Sequence, residues 1–353
     1  SLFMDVSSEL IHSLLPILMV TTLGASMVTV GVIEGVAEAT AAITKVFSGA
    51  LSDLLGRRKP LLLFGYALGA ATKPVFPLAP SVEWIFAARF VDRVGKGIRG
   101  APRDALVAEI TPAPMRGAAY GLRQGLDSVG ALLGPLMAMV LMWWFADCIR
   151  TVMWFATVPA VISVVVLLAY VREPDRPHTP ADTTRRRLDF AGARRLSRGY
   201  WLVVALGAVF TLARFSEAFL VLRAQNVGLS LAYVPLVMIV MNVVYAGAAY
   251  PAGAAADRLS PRALLLIGLG LLIVADIVLA RAASPAVVLA GAACWGLHMG
   301  LTQGLLSKLV ADTAPVDLLG TGFGLFNLVS GVAVLLASVI AGEGAAMQRD
   351  YGW

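Results

Sequence analysis

Charge is scarce in this chain. Only 14% of its 353 residues are Asp, Glu, Lys or Arg, whereas 59% are hydrophobic. A soluble chain of this size would be about a quarter charged, so an exterior wholly wetted by water is excluded. Cysteine is nearly absent, and Cys148 and Cys294 stand far apart without ligand spacing. That removes a disulfide framework and a cysteine metal site. The apolar runs lack period-2 alternation, and an unclosed sheet cannot sit in lipid, so strands are not expected. No nucleophile-base or metal-ligand spacing falls on a helix end, which argues against an enzyme and gives no reason for a cofactor. No filter-like loop suggests a channel. No cleavable signal peptide is visible, because the chain enters an apolar helix almost at Ser1.

What the chain does have is a succession of apolar runs, with a mean hydropathy of +0.81. Runs of about 20 residues suffice to cross about 30 Å of hydrocarbon as helices. Runs and turn signals place helices near 4–22, 29–54, 60–79, 82–108, 117–142 and 150–172, then 200–222, 231–257, 262–281, 285–311 and 319–341. The expected fold is an all-α polytopic membrane protein with eleven helices. Between the two sets, Arg172 to Arg198 holds eight arginines against Glu173, Asp175, Asp182 and Asp189, with three prolines. This reads as a basic linker over 173–199, with a short amphipathic helix around Leu188 to Leu196, joining a bundle over 1–172 to one over 200–353. The other basic turns, Arg57-Arg58-Lys59, Arg116 and Arg258/Arg262, fall on the linker's side if helices alternate. The opposite turns carry only Arg150, Arg223, Arg281 and Arg349. The excess puts the N-terminus and linker in the cytoplasm, and the net charge of +6 reflects topology rather than nucleic-acid binding.

The chain is also internally duplicated. Gly49 to Lys59 reads G-A-L-S-D-L-L-G-R-R-K, and Gly253 to Arg262 reads G-A-A-A-D-R-L-S-P-R, so Gly49, Asp53 and Arg58 match Gly253, Asp257 and Arg262 in spacing. R-G-A-A-Y-G-L at Arg116 to Leu122 returns as L-G-T-G-F-G-L at Leu319 to Leu325. A-E-I-T-P at Ala108 to Pro112 returns as A-D-T-A-P at Ala311 to Pro315. Parallel repeats of this kind relate the halves of one class of transporter. The repeat predicts a partner for helix six, a twelfth helix beginning near Trp353; a true eleven-helix chain is the alternative.

The Gly49 to Lys59 loop resembles the G-x-L-x-D-x-x-G-R-[RK] loop of the major facilitator superfamily of secondary transporters, and Gly253 to Arg262 resembles its degenerate second copy. The resemblance covers the whole chain and points to bacterial members in the inner membrane. It implies two pseudo-symmetric six-helix bundles, monomeric, alternating access to a small solute, and a cavity lined by helices one, four, seven and ten. Gly121, Gly130, Gly134 and Pro135 in helix five match the glycine spacing of the antiporter signature, although Leu136 to Ala138 depart from its end. That spacing gives export by exchange a slight preference. The resemblance also supports gating by Asp53, with Arg57, Arg58, Glu109 and Arg116 beside it.

Asp53 makes its own physical case, since a carboxylate at a helix C-terminus faces the unfavourable end of the dipole. Arg57, Arg58 or the first amides of helix three could compensate it; a turn that only fixes topology is the plainer reading. Asp5, Glu9 and His12 in helix one lie within about 60° of one another at 100° per residue. Ionisable groups at membrane depth normally face a cavity or a partner. They are candidates for proton or substrate coupling, against an internal salt bridge that merely joins helices. Glu34 and Glu38 repeat the pattern in helix two. In helix four, Arg89, Asp92, Arg93, Lys96, Arg99 and Arg103 share a stripe about 120° wide. It is either an anion-attracting surface, suited to an anionic solute or metal chelate, or a scaffold neutralised by nearby carboxylates. Arg123 and Asp127 form an i,i+4 pair in helix five. Helix seven offers Arg214 and Glu217, and helix ten Trp295 and His298; His298 on an apolar face suits a hydrogen-bonded core residue better than a metal ligand. A proton-driven transporter is the leading expectation, with uptake of an anion or chelate as the alternative and a non-transporting receptor or scaffold behind both.

Overall fold

A computed structural model describes residues 1–145, 148–173, 195–213, 220, 223–224, 227–229 and 235–351. Its long elements are α1 (Leu2–Ile17, continued by a π turn over Leu18–Thr22), α2 (Met27–Leu55), α3 (Lys59–Thr72, extended by Val75–Leu78) and α4 (Val82–Ile110). They continue as α5 (Arg116–Trp144), α6 (Ile149–Phe155 and Thr157–Tyr170), α7 (Arg198–Ala213) and α8 (Pro235–Ala256). The last are α9 (Pro261–Ala280), α10 (Pro285–Thr313) and α11 (Leu319–Tyr351). The described residues are all-α, with the eleven helices expected from the apolar runs. Among the described residues, eight spans are long and apolar enough to cross a membrane. Helix α4 is not among them, since it carries Glu83, Arg89, Asp92, Arg93, Lys96, Arg99, Arg103, Asp104 and Glu109.

Local chemistry explains the boundaries. Ser26 caps α2 by accepting the Thr29 N–H at 3.1 Å, and the helix ends at Gly56, whose φ of 64° a side chain would resist. Ser260 caps α9 through the Ala263 N–H at 3.2 Å, with Pro261 in the first turn. Ser284 and Pro285 open α10. The π turn after α1 follows Pro16, which cannot donate to the helix ladder.

The helices form two compact units. The first comprises 1–112, 126–195 and 315–325, and the second 113–125, 196–314 and 326–353. The first three turns or so of α5 thus lie with the second unit, and the opening of α11 with the first. In the first unit α4 packs between α2 and α3, with α1 and α3 also against α6. An apolar cluster of Leu10, Leu14, Leu18, Phe76, Ile85 and Val152 fills one region of it. In the second unit α10 packs against α8 and α9 around Val237, Met241, Leu272 and Trp295. Arg214, Glu217 and the proposed amphipathic stretch before Arg195 lie outside the described residues.

Candidate functional site

At the end of α2 in the first unit, Asp53 is buried and accepts on both oxygens. Gly320 N–H donates to Oδ1 at 2.9 Å; Thr321 N–H and its hydroxyl donate to Oδ2 at 2.6 and 2.8 Å. The compensating amides therefore belong to the first turn of α11, not to helix three. A carboxylate on those free N–H groups is favoured by the dipole of α11. Arg58, fully buried, adds its Nη2 to Asp53 Oδ1 at 3.3 Å and to Glu109 Oε1 at 2.7 Å, and its backbone N–H donates to Glu173. Arg57 is exposed. Glycines permit this approach: a Cβ on Gly49 would lie 2.1 Å from the Gly320 carbonyl oxygen.

The second unit repeats the arrangement. Asp257 Oδ1 and Oδ2 accept the N–H groups of Gly117 and Ala118, in the first turn of α5, at 2.8 and 2.9 Å. A Cβ on Gly253 would meet the Gly117 carbonyl oxygen at 2.2 Å, and one on Gly121 the Ala249 carbonyl oxygen at 2.2 Å. The cations differ. Arg262 is exposed, and Lys308 stands 4.0 Å from Asp257 instead. Lys308 and Arg116 each reach Asp312, the counterpart of Glu109, at 2.8 Å. The role taken by Arg58 in one unit is shared by residues from other helices in the second. Periodicity along one helix could not reveal that.

The polar face of the first unit is built by α1, α2, α3 and α4. His12 Nδ1 lies 3.7 Å from Glu9 and its Nε2 3.4 Å from Glu34. Glu34 accepts from Arg89 Nη2 at 2.7 Å, and Glu38 pairs with Arg93 Nη1 at 3.0 Å. Asp92 pairs with Lys73 Nζ at 2.8 Å, and Lys73 also donates to the Ser8 hydroxyl at 3.1 Å. Arg103 reaches Asp104 at 3.3 Å and Asp127 at 3.6 Å, and Arg99 lies over the Tyr66 ring at 4.9 Å. Lys96 stands among the charges of Arg93, Glu38 and Glu9. Asp5 approaches α5 where Gly130 leaves room, since a Cβ there would be 2.8 Å from the Asp5 Cβ. Gly134 does the same for Glu9 at 2.6 Å, while Pro135 is exposed. Lys73 was not among the sequence candidates; its only signal was a lysine inside the apolar run of α3.

Residues 1–338 match the Major Facilitator Superfamily. The chain belongs to that superfamily. The transporter is 30% identical over 346 residues to an uncharacterised MFS-type transporter of Methanocaldococcus jannaschii, covering 96% of this chain and 84% of that one. It is 25% identical over 330 residues to a class H tetracycline resistance protein of Pasteurella multocida, covering 86% and 77%. Among solved structures, the fucose transporter FucP in its outward conformation, from the same protein as the E. coli fucose:proton symporter, has a TM-score of 0.76 at 16% identity, covering 98% of this chain and 90% of that one. That likeness concerns the fold. The transporter is thus a multi-pass secondary transporter of small solutes by alternating access, and not an enzyme.

In its second unit, the candidates of α10 are structural or form a small polar network. Trp295 is fully buried in the apolar cluster. His298 Nδ1 lies 2.7 Å from the Gly268 carbonyl oxygen, and its ring stacks on Phe210 at 6.2 Å. Gln303 accepts from the Tyr245 hydroxyl at 2.8 Å and from Gln124 at 3.4 Å. Arg123 is half-buried on α5.

Proposed function

We propose that the transporter is a proton-coupled exporter of a small solute, working as a monomer in the inner membrane with its N-terminus and basic linker in the cytoplasm. One observation carries the coupling assignment: Glu9, His12, Glu34 and Arg89 form a continuous chain from a half-exposed imidazole to a buried guanidinium. A carboxylate whose cation can be withdrawn can take up a proton as the face hydrates. The likeness to a tetracycline resistance protein, and over about a third of the chain to a multidrug resistance protein, supports export. The carboxylates facing Arg89, Arg93 and Arg103 favour the scaffold reading of the helix-four stripe. Lys96, which feels the like charge of Arg93, is the feature that favours an anionic solute or metal chelate instead.

Asp53 and Asp257 serve as twin gate residues in this reading. Each holds the first turn of a helix from the other half of the repeat, and both grips must loosen for access to alternate. The test is flux in proteoliposomes under an imposed pH gradient, screened over cationic drugs, organic anions and metal chelates. Glu9→Gln should abolish proton-driven flux while leaving the protein folded and monodisperse. Wild-type gradient dependence in that variant would remove Glu9 from the coupling path.

A further inference from the structure

Asp92 sits at the junction of α1, α3 and α4 with unequal oxygens. Its Oδ1 is committed: Lys73 Nζ donates to it at 2.8 Å and the Thr72 hydroxyl at 3.4 Å. Its Oδ2 is not, since Arg89 Nη1 and Arg93 Nε both stop 4.0 Å away. At that distance a guanidinium is attracted but makes no hydrogen bond. Each arginine spends its close contact on a glutamate nearer the solvent, Glu34 for Arg89 and Glu38 for Arg93. Lys73 and Asp92 are 1% and 3% exposed, so the pair is shielded from bulk solvent.

We propose that Asp92, held by Lys73, is a shared reserve acceptor for Arg89 and Arg93: when either glutamate is protonated, its arginine closes on Oδ2. Without such an acceptor, protonating Glu34 or Glu38 would strand a buried guanidinium, and the glutamate would stay ionised. Lys73 has two effects. It fixes the carboxylate through Oδ1, leaving Oδ2 turned toward the arginines, and it supplies the counter-charge that a buried carboxylate requires. The other charges around this cluster are Arg99 beside Asp92, His12 beside Glu34, Lys96 and Lys45 beside Glu38, and Glu9 beside Arg93, with Ser8 completing the lysine's contacts. Lys73 and Asp92 are positioning residues, acting through the arginines rather than on a solute. The inference rests on the proton-coupled reading and adds the residues that let the proton be taken up.

The experiment reads the gate and needs no solute. Spin labels at Leu55→Cys and Val316→Cys, both exposed, report the separation of the end of α2 from the turn before α11, in a background lacking Cys148 and Cys294. The distance distribution is followed from pH 5 to 9 in reconstituted protein. Wild type and Lys73→Arg should show the same pH-driven change. The double variant Lys73→Met/Asp92→Asn removes a whole ion pair, avoiding the stranded charge that either single change would leave. It should remain folded by thermal unfolding, yet its transition should need at least tenfold more protons or disappear. A folded double variant with the wild-type midpoint would overturn the role of Asp92. If the double variant does not fold, Glu34→Gln in otherwise unaltered protein decides: it should bias the gate at neutral pH, and an unchanged distribution would overturn the proposal. A wild-type protein indifferent to pH would overturn the proton-coupled reading itself.

Discussion

Asp53 gathers three hydrogen bonds and a guanidinium within one buried carboxylate. Replacing it by Asn puts an NH2 group against one N–H donor and removes the charged partner that Arg58 Nη2 has in Asp53. An unsatisfied buried donor costs about 1–3 kcal/mol. Asp53→Asn should therefore broaden the distance between α2 and α11 and slow cycling, while solute affinity is mostly kept. Loss of equilibrium binding without a cycling defect would contradict a gate role. Of the residues around Asp53, Arg58 was legible from its place in the loop. Gly320 and Thr321 were not, because they lie 267 and 268 residues away and two of their three bonds come from backbone N–H groups that almost any residue carries. Lys73 was hidden for a different reason. A single cation in an apolar run looks like an interfacial lysine until its partner on another helix is known.

Helix crossings set the next scale. α2 meets the start of α11, and α8 the start of α5, at distances only glycine allows. Gly320 would place a Cβ 2.3 Å from the Ser52 hydroxyl and 2.4 Å from the Gly49 carbonyl oxygen. Gly49→Ala and Gly320→Ala should each force the helices apart and lower the population of the closed gate, as the same spin-label distance would record. Gly270, in the middle of α9, has nothing within 4 Å of its Cβ position. Gly270→Ala should raise stability by about 0.5–1 kcal/mol through backbone entropy alone, measured by thermal unfolding in detergent. A destabilised Gly270→Ala would show that α9 is more crowded than these contacts imply. The glycines of α5 were readable as a spacing, but that spacing does not reveal two partners. Gly121 faces α8, whereas Gly130 and Gly134 face α1.

At the scale of the whole molecule, the arginine-rich turns should share one face of the membrane. Arg57 and Arg262 are exposed in successive copies of the repeat, and Arg281 is exposed on a turn of opposite parity. Cysteines at the first two positions should react with an impermeant maleimide only from the cytoplasmic side, and one at position 281 only from outside. Labelling of positions 57 and 262 from opposite sides would contradict the parallel repeat and the positive-inside orientation.

Hydropathy, spacing and internal repetition alone determined that the chain is a helical membrane protein, with the eleven helices counted among the described residues. They also marked the paired Gly–Asp loops and the charged faces of α1, α2 and α4. Those features are periodic along one helix or repeated along the chain, and lipid permits few architectures for such runs. Only the tertiary structure decided which charge meets which. It gave Asp53 to the amides of α11, moved the cation of the second loop from Arg262 to Lys308 and Arg116, and set Lys73 against Asp92. Buried charges take whatever partner the crossing of helices brings within reach, and that crossing depends on packing between segments far apart in sequence.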